Sequence, residues 1–287
     1  MLPCRIWVFI PIRRNMNVKI FMCTHKALDF VPPLCIPVQG GASINEPIVG
    51  AIPDIGKNGD ISAKNPEYCE LTVQYYAYKN EDCDYYGFCH YRRFFGTSTI
   101  KRPYITVGKP KSKLIADESE ITELLKNSDI ILPRPENVGL TVYEKYLSSR
   151  HQFKEDLDLF LEIVCKKAPY LSSFVEEYIQ GYEQYFCNMF IMRADIFKEY
   201  SALLFSILEE FDKRKTRHGY FEADRTNGYL GERLLGIYAL YLKSRGLKIS
   251  HLPRVDALVP LKKRFISKLL PPQSKLRLRL NAKRGIR

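Results

Sequence analysis

Two short apolar runs near the start of the chain each lead into a cluster of polar residues. The first run spans residues 18–23 and the second spans residues 85–89. Apolar runs of this length, bounded by polar residues, predict buried strands. The residues that follow the first run are Thr24, His25 and Lys26, and those that follow the second are His90, Tyr91, Arg92 and Arg93. We therefore expect two buried strands with basic and hydroxyl side chains at their carboxyl ends.

Helical spacing dominates the second half of the chain. Apolar residues recur at positions i, i+3, i+4 and i+7 over residues 157–164 and 171–178, and a longer apolar stripe covers residues 196–211. Further helices are predicted over residues 65–79, 117–126 and 228–245, and further strands over residues 129–132, 186–192 and 247–250. Residues 31–66 are rich in Pro and Gly, which predicts a long loop. Because strands alternate with helices, the chain is predicted to adopt an α/β fold with a sheet between helices.

Positive charge is concentrated at the C-terminal end. The 287 residues include 44 Lys and Arg against 32 Asp and Glu, a formal net charge of +12. Residues 262–287 hold ten basic residues and no acidic one, which leaves 34 basic against 32 acidic residues in the remainder. A nearly neutral body argues against a nucleic-acid-binding protein, which carries a basic surface on its folded part. Leucines between the basic residues of the tail predict reversible binding to anionic membranes, and a solubilising tail is the alternative.

The eight cysteines form no C-x-x-C pair and several lie within apolar runs. This usage indicates free buried thiols in a reducing compartment. No apolar run approaches the roughly 20 residues that span a bilayer. Residues 1–16 lack a signal-peptide cleavage site, and we expect them to be an extension in front of a domain that begins at Asn17.

The basic cluster after residues 85–89 is the first candidate for chemistry. Ligands of α/β sheets bind outside the carboxyl ends of strands. A histidine and two arginines at such an end can hold a phosphate or diphosphate, since a guanidinium group matches phosphate oxygens with two parallel hydrogen bonds. The alternative is an ordinary strand end whose basic residues form surface ion pairs.

Two further positions carry polar side chains in apolar surroundings. Glu232 lies near the start of a predicted helix, where a carboxylate that faces a cleft can act as a general base. The alternative is a charged pair with Arg233 on a solvated face. Asn188 interrupts an apolar run, where it can orient a substrate or satisfy a neighbouring backbone group.

Two Asp-x-Asp sequences resemble a metal–diphosphate motif. Asp82 and Asp84 precede the strand over residues 85–89 and so lie at its amino end, while Asp156 and Asp158 lie within a helical run. Neither placement suits a metal site at the carboxyl ends of strands. Without paired Cys and His ligands at zinc spacing, we expect no bound zinc.

Four sequence blocks, in this order, resemble a family of bacterial capsular and exopolysaccharide glycosyltransferases long catalogued as a domain of unknown function. The blocks are Thr24-His25-Lys26, His90-Tyr91-Arg92-Arg93-Phe94, Asn188-Met189-Phe190-Ile191-Met192 and Gly228-Tyr229-Leu230-x-Glu232-Arg233-Leu234. The resemblance extends from about Asn17 to Arg254, which is nearly the whole body of the chain. The order of the four blocks is more specific than any one of them.

The resemblance implies a single GT-A-like, Rossmann-like nucleotide-sugar-binding domain over residues 17–256, with helical insertions and a basic tail over residues 257–287. It implies an inverting transfer of a sugar from a nucleoside-diphosphate donor to a lipid-linked saccharide. A UDP-linked galactofuranose is one donor that it implies. The expected place of action is the inner face of the plasma membrane.

The resemblance also implies roles for particular residues. Glu232 would be the general base, and Asn188 and Arg225 would contact a sugar of the donor or the acceptor. Arg92 or Arg93 would stabilise the leaving diphosphate in place of a metal, so that no metal cofactor is expected. No nucleic-acid partner is expected either, because the body of the chain is nearly neutral. The nucleotide sugar would be bound by Thr24, His25, Lys26, His90, Arg92 and Arg93. A non-catalytic scaffold of the same fold, acting in polysaccharide assembly, is the alternative.

Overall fold

A mixed β-sheet runs through the middle of the protein, with helices on both faces. The computed structural model describes residues 16–149, 152–216, 225–264 and 274. The strands are β1 (Val18–Thr24), β2 (Cys35–Gln39), β3 (Ile52–Pro53), β4 (Tyr85–His90), β5 (Arg93–Phe95), β6 (Tyr104–Thr106), β7 (Ile130–Pro133), β8 (Glu136–Asn137), β9 (Glu183–Gln184), β10 (Phe190–Arg193), β11 (Ile249–Leu252) and β12 (Arg254–Asp256). The helices are α1 (Asn65–Tyr68), α2 (Leu71–Asn80), α3 (Glu118–Leu125), α4 (Val142–Leu147), α5 (Lys154–Lys167), α6 (Ser172–Gln180), α7 (Ala194–Arg214) and α8 (Thr226–Ser244).

The strand directions place one edge of the sheet at a crevice. The main path runs β3-β2-β1-β4-β10-β7-β11. All neighbours on it are parallel except β10, which is antiparallel to both β4 and β7. The carboxyl ends of β1, β2, β4 and β7 therefore meet at the same edge as the amino end of β10. Strands β5, β6 and β12 extend the sheet beyond the end of β4.

Successive side chains of the central strands point to opposite faces of the sheet, so that each face has its own core. In β1, Phe21 belongs to the larger cluster with residues of α2, α5, α7 and α8, while Ile20 and Met22 belong to a smaller cluster with residues of α3 and β5. This two-residue period is typical of a strand buried on both faces. The predicted α/β fold class is confirmed.

Three local predictions are wrong in part. Residues 31–66 are not loop throughout, because β2 pairs with β1 and β3 pairs with β2. The helix expected over residues 65–79 is broken at Cys69, whose φ is 51°. The strand expected over residues 186–192 begins only at Phe190, because Cys187 and Asn188 adopt left-handed φ values of 77° and 45°.

Both ends of the chain extend past the described residues. The predicted extension over residues 1–16 is described only at Met16, and the predicted tail over residues 257–287 only at residues 257–264 and 274. Membrane binding by residues 262–287 thus stays a prediction that lies largely outside the described residues. Among the described helices, none has the length and apolar character to cross a bilayer.

Candidate active site

Two adjoining cavities open at the carboxyl edge of the sheet. The strand-end cavity, about 320 Å³, lies between the turn after β1, the turn after β4 and the start of α1. The helix-side cavity, about 390 Å³, lies between the first turns of α8, the residues before β10 and the end strand β12. The residues that line both cavities are Cys69, Glu70, Arg93 and Arg225. The two cavities therefore form one cleft with a charged boundary between its halves.

The polar triplet after β1 forms one wall of the strand-end cavity. The Thr24 hydroxyl is fully buried, donates to the Lys26 carbonyl at 2.7 Å and accepts from the Lys26 amide at 3.2 Å, which folds the chain into a tight turn. The His25 ring stands edge-on to Tyr91, with the ring centroids 5.1 Å apart. Burial, and then the nearby Lys26 and Arg92, lower the pKa of His25. Thr24 shapes this wall, and Lys26 supplies its positive charge.

The turn between β4 and β5 brings both predicted arginines to the cleft. His90 pairs with Arg93 across this two-residue turn. Arg92 is exposed, its guanidinium lies 5.6 Å from the centroid of the Tyr91 ring, and it lines the strand-end cavity. Arg93 is half-buried and lines both cavities. The sequence could not decide which arginine faces the cleft, and in the structure both line it.

His90 lines the strand-end cavity as an uncharged group. One ring nitrogen, Nε2, lies 2.7 Å from the Cys187 carbonyl oxygen and donates to it. Burial, with a further effect from the neighbouring Arg93 charge, lowers the pKa of His90 to about 3. The phosphate-binding charge expected of the His90–Arg93 cluster therefore comes from its arginines. His90 instead ties the end of β4 to the turn that precedes β10.

Glu232 projects from α8 into the helix-side cavity, but both of its oxygens have partners. Oε1 accepts from the Cys187 backbone amide at 2.6 Å, and Oε2 accepts from the Arg233 guanidinium at 2.9 Å. Arg233 is buried, with 2% of its side chain exposed, against 13% for Glu232. Burial raises the pKa of Glu232, opposed by the Arg233 charge and reinforced by the Glu70 charge. The alternative of a pair with Arg233 on a solvated face is wrong, because this pair lies in the protein interior.

Asn188 lies beneath the cleft rather than in its wall. The side chain is 3% exposed, and its amide nitrogen donates to Glu70 Oε1 at 2.7 Å and to the Gly228 carbonyl at 2.9 Å. Gly231 leaves the necessary room, since a Cβ there would lie 3.2 Å from Asn188 Oδ1. Asn188 thus joins the start of α8 to Glu70. Its contact with a sugar stays a prediction.

Arg225 marks the beginning of α8 at the boundary of the two cavities. Its φ of 48° is left-handed, its Nε donates to Cys69 Sγ at 3.2 Å, and its guanidinium lies 5.6 Å from the Tyr229 ring centroid. A network behind it fixes the helix start: Asp212 accepts from Tyr68 at 2.6 Å and from Asn227 at 3.0 Å. Arg225 can therefore contact a ligand in either cavity.

Sequence reasoning missed several charged residues of the cleft. Glu70 lines both cavities, and no motif around it marks it as functional. Arg254 is buried between Glu136, at 2.6 Å, and Asp256, at 2.8 Å, in the wall of the helix-side cavity. Only the fold brings these residues, distant in sequence, to one place.

Among the described residues, those at the end of β4 do not fit a divalent metal in the position where a metal–diphosphate motif would follow the strand. Independence from a metal stays a prediction. Hydroxyl, imidazole and cationic groups line the strand-end cavity there, with Glu70 as its carboxylate. In the described part of the chain, no three His, Cys, Asp or Glu side chains converge as metal ligands. Asp84 accepts from the Asn17 amide at 2.8 Å and Asp82 pairs with Lys198 at 3.5 Å, both at the opposite edge of the sheet.

A sequence family and a solved glycosyltransferase structure are similar to this chain. A family profile described as a domain of unknown function, DUF4422, matches residues 19–243. The apo structure of the WbbM bifunctional glycosyltransferase is similar to this chain, with a TM-score of 0.78 and 30% sequence identity. The similarity covers 84% of this chain and 45% of that chain, so the matched part is less than half of the WbbM chain. No curated protein matches the chain by sequence.

Proposed function

Because the chain belongs to the DUF4422 family, we propose that it is a glycosyltransferase that moves a sugar from a nucleoside-diphosphate donor to a saccharide acceptor. The cleft carries this proposal. It lies at the carboxyl edge of the sheet, where α/β proteins bind nucleotides. The strand-end cavity is mainly cationic, and the helix-side cavity holds several carboxylates. The two cavities meet at Arg93, Arg225 and Glu70. The similarity to a glycosyltransferase structure supports the same activity.

The donor diphosphate would occupy the strand-end cavity. Negative charge grows on the departing diphosphate as the bond to the sugar breaks, so fixed positive groups at that point lower the barrier. Arg92, Arg93 and Lys26 supply such groups, and Arg225 faces them from α8. We propose that these side chains take the role that a metal ion has in other nucleotide-sugar transferases. The sugar would then lie at the boundary of the two cavities.

The acceptor would enter the helix-side cavity. In an inverting single displacement, a carboxylate takes the proton of the acceptor hydroxyl while that oxygen attacks the anomeric carbon. From the sequence we assigned this role to Glu232, which lines that cavity together with Glu70. We further propose a UDP-sugar donor, with galactofuranose among the candidates, and a lipid-linked acceptor of capsular or exopolysaccharide synthesis. The basic residues 262–287 would hold the enzyme on the anionic inner face of the plasma membrane.

The test is a panel of nucleotide sugars, screened first for thermal stabilisation and then for transfer. A ligand that binds only the folded protein raises its melting temperature. We expect UDP and at least one UDP-sugar to stabilise the protein, and transfer to persist in EDTA. Arg92→Ala and Arg93→Ala, tested singly, should include at least one variant with severely weakened UDP binding and transfer. Activity abolished by EDTA and restored by manganese would overturn the arginine mechanism, and duplex or single-stranded nucleic acid as the better ligand would overturn the activity.

A further inference from the structure

Backbone strain is concentrated around the cleft. Among the described residues, five that are not glycine have positive φ values: Cys69, Cys187, Asn188, Arg225 and Leu258. Four of these five line the two cavities or the floor beneath them. Positive φ is unfavourable for residues with a side chain, and strain that persists in a folded protein is concentrated at functional sites.

The strained break at Cys69 sets the position of Glu70. This break separates α1 from α2, and Glu70 is the residue that caps α2. Its carboxylate lines both cavities, at the boundary where the donor sugar would meet the acceptor. The Asn188 amide, itself held by the Gly228 carbonyl, donates to Oε1 at 2.7 Å. Among the described residues, the other donor to this carboxylate is the backbone amide of Glu70 itself, and no buried cation bonds to it.

Glu232 differs from Glu70 in this respect. Its two oxygens accept from the Cys187 amide and from the buried Arg233 guanidinium. These bonds hold the Cys187–Asn188 turn against α8, and that turn in turn orients Glu70. The geometry therefore separates the two carboxylates into one that is held in place and one that is presented to the cleft.

The charges around Glu70 suit proton transfer. Burial raises the pKa of Glu70, while hydrogen bonding from Asn188 and the charges of Arg225 and Arg93 lower it. Among the described residues, the other titratable groups that face it are the Glu232 carboxylate, the Tyr229 hydroxyl and the thiols of Cys23 and Cys69. A bound diphosphate would neutralise part of the two arginine charges, which would raise the pKa of Glu70 further and make it a stronger base.

We propose that Glu70 is the catalytic base of the transfer and that Glu232 is a positioning residue; this rests on the proposed function. The acceptor oxygen forms a bond to the anomeric carbon as the bond from that carbon to the diphosphate oxygen breaks. The electron pair of the broken bond stays on the diphosphate, which leaves with Arg93 and Arg225 beside it. The hydroxyl proton moves to Glu70 Oε2 and is later released to solvent.

The experiment compares Glu70→Gln with Glu232→Gln in the full chain. The readouts are UDP affinity, melting temperature at pH 8 and transfer from UDP-galactofuranose and UDP-hexopyranoses to an alkyl-linked disaccharide. We expect Glu70→Gln to lower transfer by about 10²–10⁴-fold and to leave the UDP dissociation constant within about threefold, since Gln keeps the acceptor for Asn188. Its melting temperature should equal or exceed that of the wild type. Among the described residues no buried cation bonds to Glu70, so above its raised folded pKa the ionised carboxylate opposes folding, and the neutral amide removes this effect. Glu232→Gln should instead melt at a lower temperature.

The possible outcomes separate the inference from the proposed function. Transfer by Glu70→Gln within threefold of the wild type would overturn the assignment of the base alone. A lower melting temperature together with weak UDP binding in that variant would show a structural role and also overturn it. If the wild type transfers none of these sugars and is not stabilised by UDP, both the function and the base assignment fail.

Discussion

Replacing Glu232 by Gln should lower the stability of the folded protein as well as its transfer activity, because it removes the charge that balances Arg233. The Arg233 side chain is 2% exposed and its guanidinium bonds to Glu232 Oε2 at 2.9 Å. Gln can still accept from the Cys187 amide, but it places a neutral amide against a buried cation. The stability of the Glu232→Gln variant thus reports on a buried ion pair.

The size of this effect follows from the burial of the pair. Removing one partner of a buried ion pair costs about 3–5 kcal/mol because the other charge is left uncompensated. Glu232 is 13% exposed and its bond to Cys187 can survive, so we expect the lower end, about 3 kcal/mol. This loss is large against a total stability of about 5–15 kcal/mol. At roughly 2–4 °C per kcal/mol, the melting temperature should fall by about 6–12 °C.

Urea denaturation of a double-mutant cycle measures the pair directly. The cycle comprises the wild type, Glu232→Gln, Arg233→Gln and the double variant. Because the two side chains are in contact, their effects on the free energy of unfolding should not be additive. The losses of the two single variants should add up to about 1–3 kcal/mol more than the loss of the double variant. A loss below about 1 kcal/mol in Glu232→Gln, with no coupling in the cycle, would refute the reasoning that Arg233 depends on Glu232.

Three further predictions concern other parts of the chain. Gly236→Ala should destabilise the protein by about 3 kcal/mol or more, because the new Cβ would lie 1.9 Å from Tyr178 Cζ in the core. Adding Tyr178→Leu should recover part of that loss in urea denaturation, and full stability of the single variant would contradict the packing. His90 has a pKa of about 3 when folded and 6.5 as its reference value, so the unfolded chain binds the extra proton between them. The free energy of unfolding should therefore fall with decreasing pH through this window, by up to about 1.4 kcal/mol per pH unit, and the slope should be smaller in His90→Gln. Deleting residues 262–287 should abolish sedimentation with anionic vesicles, because each basic residue near such a surface contributes about 1 kcal/mol. Unchanged sedimentation would show that another part of the chain binds the membrane.

The elements with strong periodicity could be predicted from the sequence. Residues 196–211 form most of α7, and the run over residues 85–89 forms β4, because each carries its own apolar pattern. Strand β2 has a weaker signal, since it contains Pro37 and its first three residues are only half-buried. It forms because β1 offers a parallel partner and because Asp54 fixes the loop that follows β2. The Asp54 carboxylate accepts from the Gly41 amide at 2.8 Å, from the Ala42 amide at 3.0 Å and from Ser62.

Some features of the cleft could likewise be predicted from the sequence, and others could not. Strand ends could be located from the sequence, so Lys26, Arg92 and Arg93 could be assigned to one cavity before the fold was known. The hydrogen-bond partners of the cleft residues could not be predicted, because they come from segments that are distant in sequence. His90 is uncharged because of its burial and the neighbouring Arg93 charge. Glu70 becomes visible as a candidate only when the break at Cys69 and the Asn188 amide are seen together.

Contacts behind the cleft and in its wall hold it in an unfavourable conformation. Four left-handed residues surround it, and strain of this kind costs about 1–3 kcal/mol for each residue. Asp212, which accepts from Tyr68 and Asn227, and the Glu232–Arg233 pair connect these residues to α7 and α8, whose apolar faces are buried. Loss of either contact should therefore free the turns that carry Glu70 and Arg225 before it unfolds the sheet. The activity of such variants should fall at temperatures where their secondary structure is still intact, since the strained turns relax first once their supports are gone.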